Sequence, residues 1–400
     1  MTMTEKILFK QGGISIFTDE IDDDKRIETI KSRIKEMFNM KNINFLFGSG
    51  TSVGAIPTMN GLYDSVVTRL KSHKEYLIEF ENIEKRIKNK KNLEDILGIL
   101  YSYRIYQKNN FDEKENEKND ELKKCSGLID IIEDQIFNEI NIKINDIKYQ
   151  SYLNLYQTFY LKLALRNKDL SRLNIFTTNN DLFNEYALDS VNIHYINGFS
   201  RGINRYFNPA LFNYTYSKRM DTSIEKFEPV ENMVYLYKIH GSINWIEDNT
   251  NSNSFFNIKE INEPKREKDI ENILIYPTPT KQNKSLGSPY VELFREFQKK
   301  LLEPHSILFV IGYSFSDEHV NNIIYQALAT NSTINLVIFG EINNKVVEIA
   351  DNRIINIFGE YKGEKINYFS YIVNNLLPNI DAFKSQDNLL SEFINSIKVK

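Results

Sequence analysis

Short apolar runs that end abruptly in small or polar residues punctuate this chain. Ile43–Phe47 runs into Gly48-Ser49-Gly50, and Leu173–Phe176 into Thr177-Thr178-Asn179. Ser306–Ile311 runs into Gly312-Tyr313-Ser314, and Ile334–Phe339 into Gly340-Glu341. Val234–Ile239 alternates more and ends in His240-Gly241. Runs of this kind predict strands buried on both faces of a parallel sheet, each delivering a loop at its carboxyl end. Helical spacing lies between them, at Met59–Leu70, Tyr290–Leu302 and Asp317–Ala329, with Asp317 placed to cap the last.

Strand alternating with helix predicts an α/β fold: a Rossmann-like, doubly wound parallel sheet that binds ligands outside the carboxyl ends of its strands. Between Lys71 and Asn167 strand patterning stops, and Asn92–Tyr106, Gly127–Ile140 and Ser151–Arg166 read as charged helices. The expectation is a core formed by residues 1–70 and 168–345, a large α-helical insertion at 71–167, and a C-terminal extension at 346–400 that packs on the core or on a partner. Gly198–Pro229 reads as an irregular excursion and Asn249–Lys268 as a polar loop. At 400 residues the chain exceeds the ~250–300 at which a single core stops growing, which agrees with a core plus an insertion.

Composition narrows the function. Apolar residues make up 41% of the chain, enough for a packed core, and the net charge of −4 supplies no field for a phosphate backbone, so direct nucleic-acid binding is not expected. The basic run Lys85–Lys91 and the mixed-charge stretch Asp112–Lys124 read as solvated faces or loops. The single cysteine, Cys125, can form neither an intramolecular disulfide nor a thiolate zinc site. No apolar stretch is long enough to span a membrane, and Met1–Lys10 lacks the features of a secretion signal, so a cytoplasmic chain is expected.

Four strand ends carry candidate chemistry. The turn Gly48-Ser49-Gly50-Thr51-Ser52, continuing to Pro57, lets backbone approach a phosphate closely, although it matches neither the dinucleotide fingerprint nor the lysine-bearing P-loop. Thr177-Thr178-Asn179-Asn180-Asp181 offers an amide able to donate and accept, and a carboxylate that could bind a ligand or cap a helix. Lys238-Ile239-His240-Gly241 sets an imidazole at a strand end, where its near-neutral pKa suits it to accept a proton. Gly312-Tyr313-Ser314-Phe315-Ser316-Asp317 adds hydroxyls and amides suited to a ribose or phosphate, or simply to starting a helix.

In this order the four segments resemble the sirtuin family, particularly its bacterial sirtuin-like branch associated with NAD depletion in phage defence. The resemblance implies that NAD is the substrate and that Gly48, Ser49, Gly50, Thr51, Ser52, Pro57, Thr178, Gly241, Gly312, Ser314, Asp317 and Glu341 bind it. It further implies His240 as general base, with Asn179 and Asp181 flanking the nicotinamide and its ribose. Gly-Ser-Gly stands where Gly-Ala-Gly is usual, Ala55 where a glycine is expected, and the cysteine pairs of the deacylase zinc module are missing. The activity implied is therefore hydrolysis of NAD to nicotinamide and ADP-ribose without zinc, ahead of protein deacylation or a non-catalytic module that senses NAD or ADP-ribose. A homo-oligomer and a HerA-like hexameric ATPase partner are implied by the same branch.

Overall fold

The computed structural model describes residues 7–18, 20–87, 91–110, 119–164, 170–220, 223–230, 232–248, 256–266, 272–274 and 289–378. Parts of the expected charged stretch, polar loop and C-terminal extension lie outside the described residues. A nine-stranded sheet organises the molecule. Its strands are β1 (Leu8–Gln11), β2 (Ile14–Ser15), β3 (Asn42–Phe47), β4 (Leu173–Thr177), β5 (His194–Ile196), β6 (Met233–Lys238), β7 (Ser306–Ile311), β8 (Asn335–Phe339) and β9 (Ile354–Phe358). Their spatial order is β2-β1-β9-β8-β7-β3-β4-β6-β5. Neighbours from β9 through β5 run parallel, and β1 and β2 close one edge antiparallel.

The continuous apolar runs make sense because side chains of each central strand feed two cores in turn. Phe45 and Phe47 pack with Ile175 and Phe309 on one face. Leu46, between them, packs with Phe176, Leu308 and Val310 on the other. The first face is covered by α1 (Asp23–Met37) and by the helices that separate β3 from β4. These are α2 (Met59–Leu70), α3 (Lys74–Arg86), α4 (Leu93–Asn110), α5 (Asp120–Ile140) and α6 (Gln150–Leu163). They share one continuous core with the sheet, with Phe80, Leu97, Ile132 and Phe159 in the same cluster as Phe45. After β4 comes α7 (Phe183–Ser190) on the same face, while α8 (Tyr290–Leu302) and α9 (Glu318–Thr330) cover the second.

Three sequence expectations need correction. The extension expected at 346–400 contains β9, a strand inside the main sheet paired with β8 and β1; Ile354-Ile355-Asn356-Ile357-Phe358 is itself a short apolar run of the kind that marks the other strands. The excursion Gly198–Pro229 holds a hairpin, Ser217–Met220 with Ser223–Pro229. Part of the expected polar loop, Ile258–Glu260, joins Arg205–Tyr206, Gly241–Glu247 and Asn272–Leu274 in a second, four-stranded antiparallel sheet. Trp245 is fully buried there against Phe199 and Phe207.

β3 has β4 on one side and β7 on the other, and the chain winds outward from it in both directions. The carboxyl end of β3 is therefore the topological switch point, where open α/β sheets form their ligand crevice. Phe47 is in register with both Thr177 and Ile311, and Thr177 with Lys238, so the four candidate loops leave the sheet at one level.

Candidate active site

At this edge lies a cavity of about 280 Å3 with two unlike walls. Ser49, Ser52, Thr178, Asn179, Asn180, Asp181, His240, Ser314, Ser316 and Asp317 form a polar floor at the strand ends. Met59 and Leu62 of α2 with Ile136 and Ile140 of α5 form an apolar roof, and Ile56 and Pro57 lie at its side.

The glycines set how closely the floor's loops approach. Gly50 N–H donates to the Gly312 carbonyl at 2.8 Å, and Gly48 N–H to Ile311 at 3.0 Å. A Cβ on Gly50 would stand 2.6 Å from Gly312 Cα, and one on Gly312, whose φ is +67°, would stand 2.6 Å from Thr51 N. Only bare backbone permits that approach. The amides of Thr51 and Ser52 bond within the same turn, to Gly48 and Ser49 carbonyls at 3.0 and 3.1 Å. The N–H groups of this turn, expected to donate to a pyrophosphate, are instead engaged within the protein: those of Gly48 and Gly50 join two loops, and those of Thr51 and Ser52 close the turn itself.

Beneath the floor runs a buried hydrogen-bond network. The Tyr156 hydroxyl, from α6, donates to Thr51 Oγ1 at 2.9 Å and lies 3.1 Å from Ser52 Oγ. Asn179 Nδ2 donates to the same two hydroxyls at 3.0 and 3.1 Å. Ser52 Oγ donates to Asp181 Oδ2 at 2.8 Å, and Phe183 N–H to Asp181 Oδ1 at 3.1 Å. Burial raises the Asp181 carboxyl above its ordinary pKa, against the opposing pull of the Lys238 charge and the Ser52 hydrogen bond. Burial, then the Asp181 charge, holds the Tyr156 phenol far above its usual range.

Lys238, last residue of β6, is fully buried. Its ammonium pairs with Glu185 Oε1 at 2.9 Å, donates to Ser242 Oγ at 2.7 Å, and donates to the Asp181 carbonyl. It therefore ties the loop after β4 to the turn that carries His240. Asn180 adds a second tie, its Nδ2 donating to the His240 carbonyl at 2.8 Å. Gly241, at φ +82°, lets the chain reverse into the second sheet directly after His240.

His240 projects from this braced turn with its side chain about 11% exposed, Nε2 standing 3.1 Å from Asp317 Oδ2. The other Asp317 oxygen, Oδ1, accepts from the amides of His319 and Val320 at 2.9 and 3.3 Å, capping α9 as the sequence predicts. The Phe294 ring of α8 meets His240 edge-on at 6.4 Å and His319 at 4.3 Å.

Of the residues singled out from sequence, Ser49, Ser52, Pro57, Thr178, Asn179, Asp181, His240, Gly312, Ser314 and Asp317 line one cavity. Gly48, Gly50, Thr51 and Gly241 support its loops instead, and Glu341, after β8, is exposed and outside its lining. Sequence reasoning missed Tyr156, Glu185 and the bracing role of Lys238. Lys238 carried a signal, a charge closing an apolar strand two positions before His240; Tyr156 and Glu185 sit on helices with none. Among the described residues no group of three or more His, Cys, Asp or Glu side chains is placed to hold a metal ion, and no helix is long and apolar enough to cross a membrane.

Comparison with known proteins adds the family context. Residues 173–346, from β4 to just beyond β8, match the model of the SIR2-like domain. No curated protein matches the chain. Among solved structures, one from work on the structural basis for the mechanism and regulation of Sir2 enzymes aligns with 87% of this chain and 97% of its own, at 10% identity and a TM-score of 0.39.

Proposed function

We propose that the chain is an NAD glycohydrolase that cleaves the bond between nicotinamide and ribose, releasing nicotinamide and ADP-ribose. The observation that carries this reading is the convergence of His240 and Asn179 in one cavity at the switch point, within the stretch that matches the SIR2-like domain. A cavity of about 280 Å3 lies at the lower end of ligand pockets and suits the reacting end of a dinucleotide rather than all of it. The apolar roof fits a flat pyridine ring, and the hydroxyl-rich floor fits a ribose.

Departure of nicotinamide leaves positive charge on the sugar, as in glycoside hydrolysis generally. Asn179 and Asp181 hold the carboxamide and the attacking water, and His240 accepts a proton from that water or from a ribose hydroxyl. The network that fixes Asn179 and Asp181 positions them before substrate arrives, so little reorganisation is left for the reaction. Ser49, Thr178, Gly312 and Ser314 contact the rest of the nucleotide. In the cell the activity would deplete NAD in antiphage defence, from a cytoplasmic homo-oligomer able to work with a HerA-like hexameric ATPase.

The test is direct. Purified chain incubated with NAD should release free nicotinamide, measured by chromatography. His240→Ala should lower that rate by about 10²–10⁴, the usual worth of a general base. A parental rate in the variant would remove His240 from the chemistry, and ADP-ribose bound without any turnover would make the domain a sensor.

A further inference from the structure

The sequence resemblance implies Asp317 as a contact to NAD, yet both of its oxygens have other directions. Oδ1 is held by the first amides of α9, and Oδ2 faces His240 Nε2 at 3.1 Å. A carboxylate in that position would repel a phosphate, and it occupies amides a phosphate would otherwise use. The helix-capping geometry also fixes its rotamer, and the N-terminal end of the helix dipole favours its ionised form.

We propose that Asp317 is the positioning residue of His240: its carboxylate orients the imidazole, selects the Nε2–H tautomer and balances the charge the ring acquires on accepting a proton. When Nε2–H donates to Oδ2 across the 3.1 Å that separates them, the neutral ring keeps Nδ1 as its proton acceptor. The step moves one proton from water or a ribose hydroxyl to the ring, and the pair passes from net −1 to neutral. The capped helix thereby does two things at once, since the group that starts α9 also holds the base. This assignment rests on the proposed NAD chemistry for its catalytic meaning, though the pairing itself can be measured without substrate.

Among the described residues, the charged and titratable groups near His240 come from four elements: Asp181 reaches the cavity from the β4 loop, Lys238 lies two residues earlier on β6, Tyr313 lines the cavity from the loop after β7 with its hydroxyl donating to the Asp317 carbonyl at 3.1 Å, and the start of α9 contributes Asp317 and His319. The α8 side presents the Phe294 ring, and α5 presents Ile136 and Ile140.

Asp317→Asn separates the two roles, because Asn caps a helix as well as Asp but carries no charge; Asp317→Ser provides a second uncharged cap. The chain has 5 histidines, so the His240 imidazole can be followed by NMR and assigned from its loss in His240→Gln. In Asp317→Asn its titration midpoint should fall by about one unit or more, as expected on removing an adjacent opposite charge. The acid limb of kcat/KM for nicotinamide release should move down by the same amount, with turnover reduced about tenfold or more. An unchanged His240 titration in folded Asp317→Asn and Asp317→Ser overturns the pairing. A shifted titration in a chain that releases no nicotinamide upholds the pairing and rejects the NAD-cleaving reading alone.

Discussion

The floor and the roof of the cavity are built on opposite principles. On and beneath the floor polar groups pair with one another: Tyr156 with Thr51, Asn179 with Thr51 and Ser52, Asp181 with Ser52, Lys238 with Glu185 and Ser242. On the roof Met59, Leu62, Ile136 and Ile140 contribute only apolar contact. A buried polar network is costly when any member is lost, because its neighbours are stranded without water. Trimming an apolar contact costs the transfer free energy of the atoms removed plus a term for the cavity left, but strands no polar partner. The contrast assigns rigidity and chemistry to the strand ends, and shape and dryness to the helices.

Lys238→Met attacks the floor where it is most interdependent. Leaving Glu185 buried and unpaired should cost ~3–5 kcal/mol in denaturant unfolding, and Glu185→Gln in the same chain should recover a substantial part. A loss no larger than a surface substitution would mean the floor is not a cooperative unit.

The next effect depends on pH. A carboxyl whose folded pKa lies above its unfolded value of about 3.8 binds its proton more tightly when folded, so its contribution to stability is present at low pH. That contribution is lost as pH rises through the raised folded value. Asp181→Asn removes the ionisation, so its stability relative to the parent should increase from pH 4 to pH 7, by ~1.4 kcal/mol for each unit of displacement. A difference that stays flat with pH would show that burial does not control this carboxyl.

The smallest effect belongs to the roof. Ile136→Val should cost only ~0.5–1.5 kcal/mol, with nicotinamide release changed less than twofold. A large loss of activity from that one methyl would erase the division between the two walls.

Much of this arrangement was legible in the chain because parallel strands buried on both faces leave an unbroken apolar signature, and their ends carry the site. β3, β4, β6, β7 and β8 each lie within about a residue of the runs that mark them, and His240, Asn179, Asp181 and Asp317 follow as their loop residues. What escaped notice was of two kinds. β1 and β5 lie at or next to the sheet edges, where short segments carry weaker patterns, whereas β9, whose run is as apolar as those of the central strands, is hidden by its place after the last expected core strand. Tyr156 lies far from Thr51 and Ser52 in sequence, in an amphipathic helix where an aromatic at a buried position reads as ordinary packing. Its hydroxyl acquires a role only through a tertiary contact that no local pattern encodes. Asp317 shows a milder version of the same limit: its capping role is local and was read correctly, whereas its approach to His240 requires the ends of β6 and β7 to be brought together.

The interlocked glycines carry one more implication. Because Gly48, Gly50 and Gly312 press main chain directly on main chain, the spacing between the two floor loops is set without any side chain. Side chains on either loop can drift, changing which molecules are preferred, while the loops keep their separation. One wall of the cleft is thus inherited from the scaffold, and chemical detail is left free to vary.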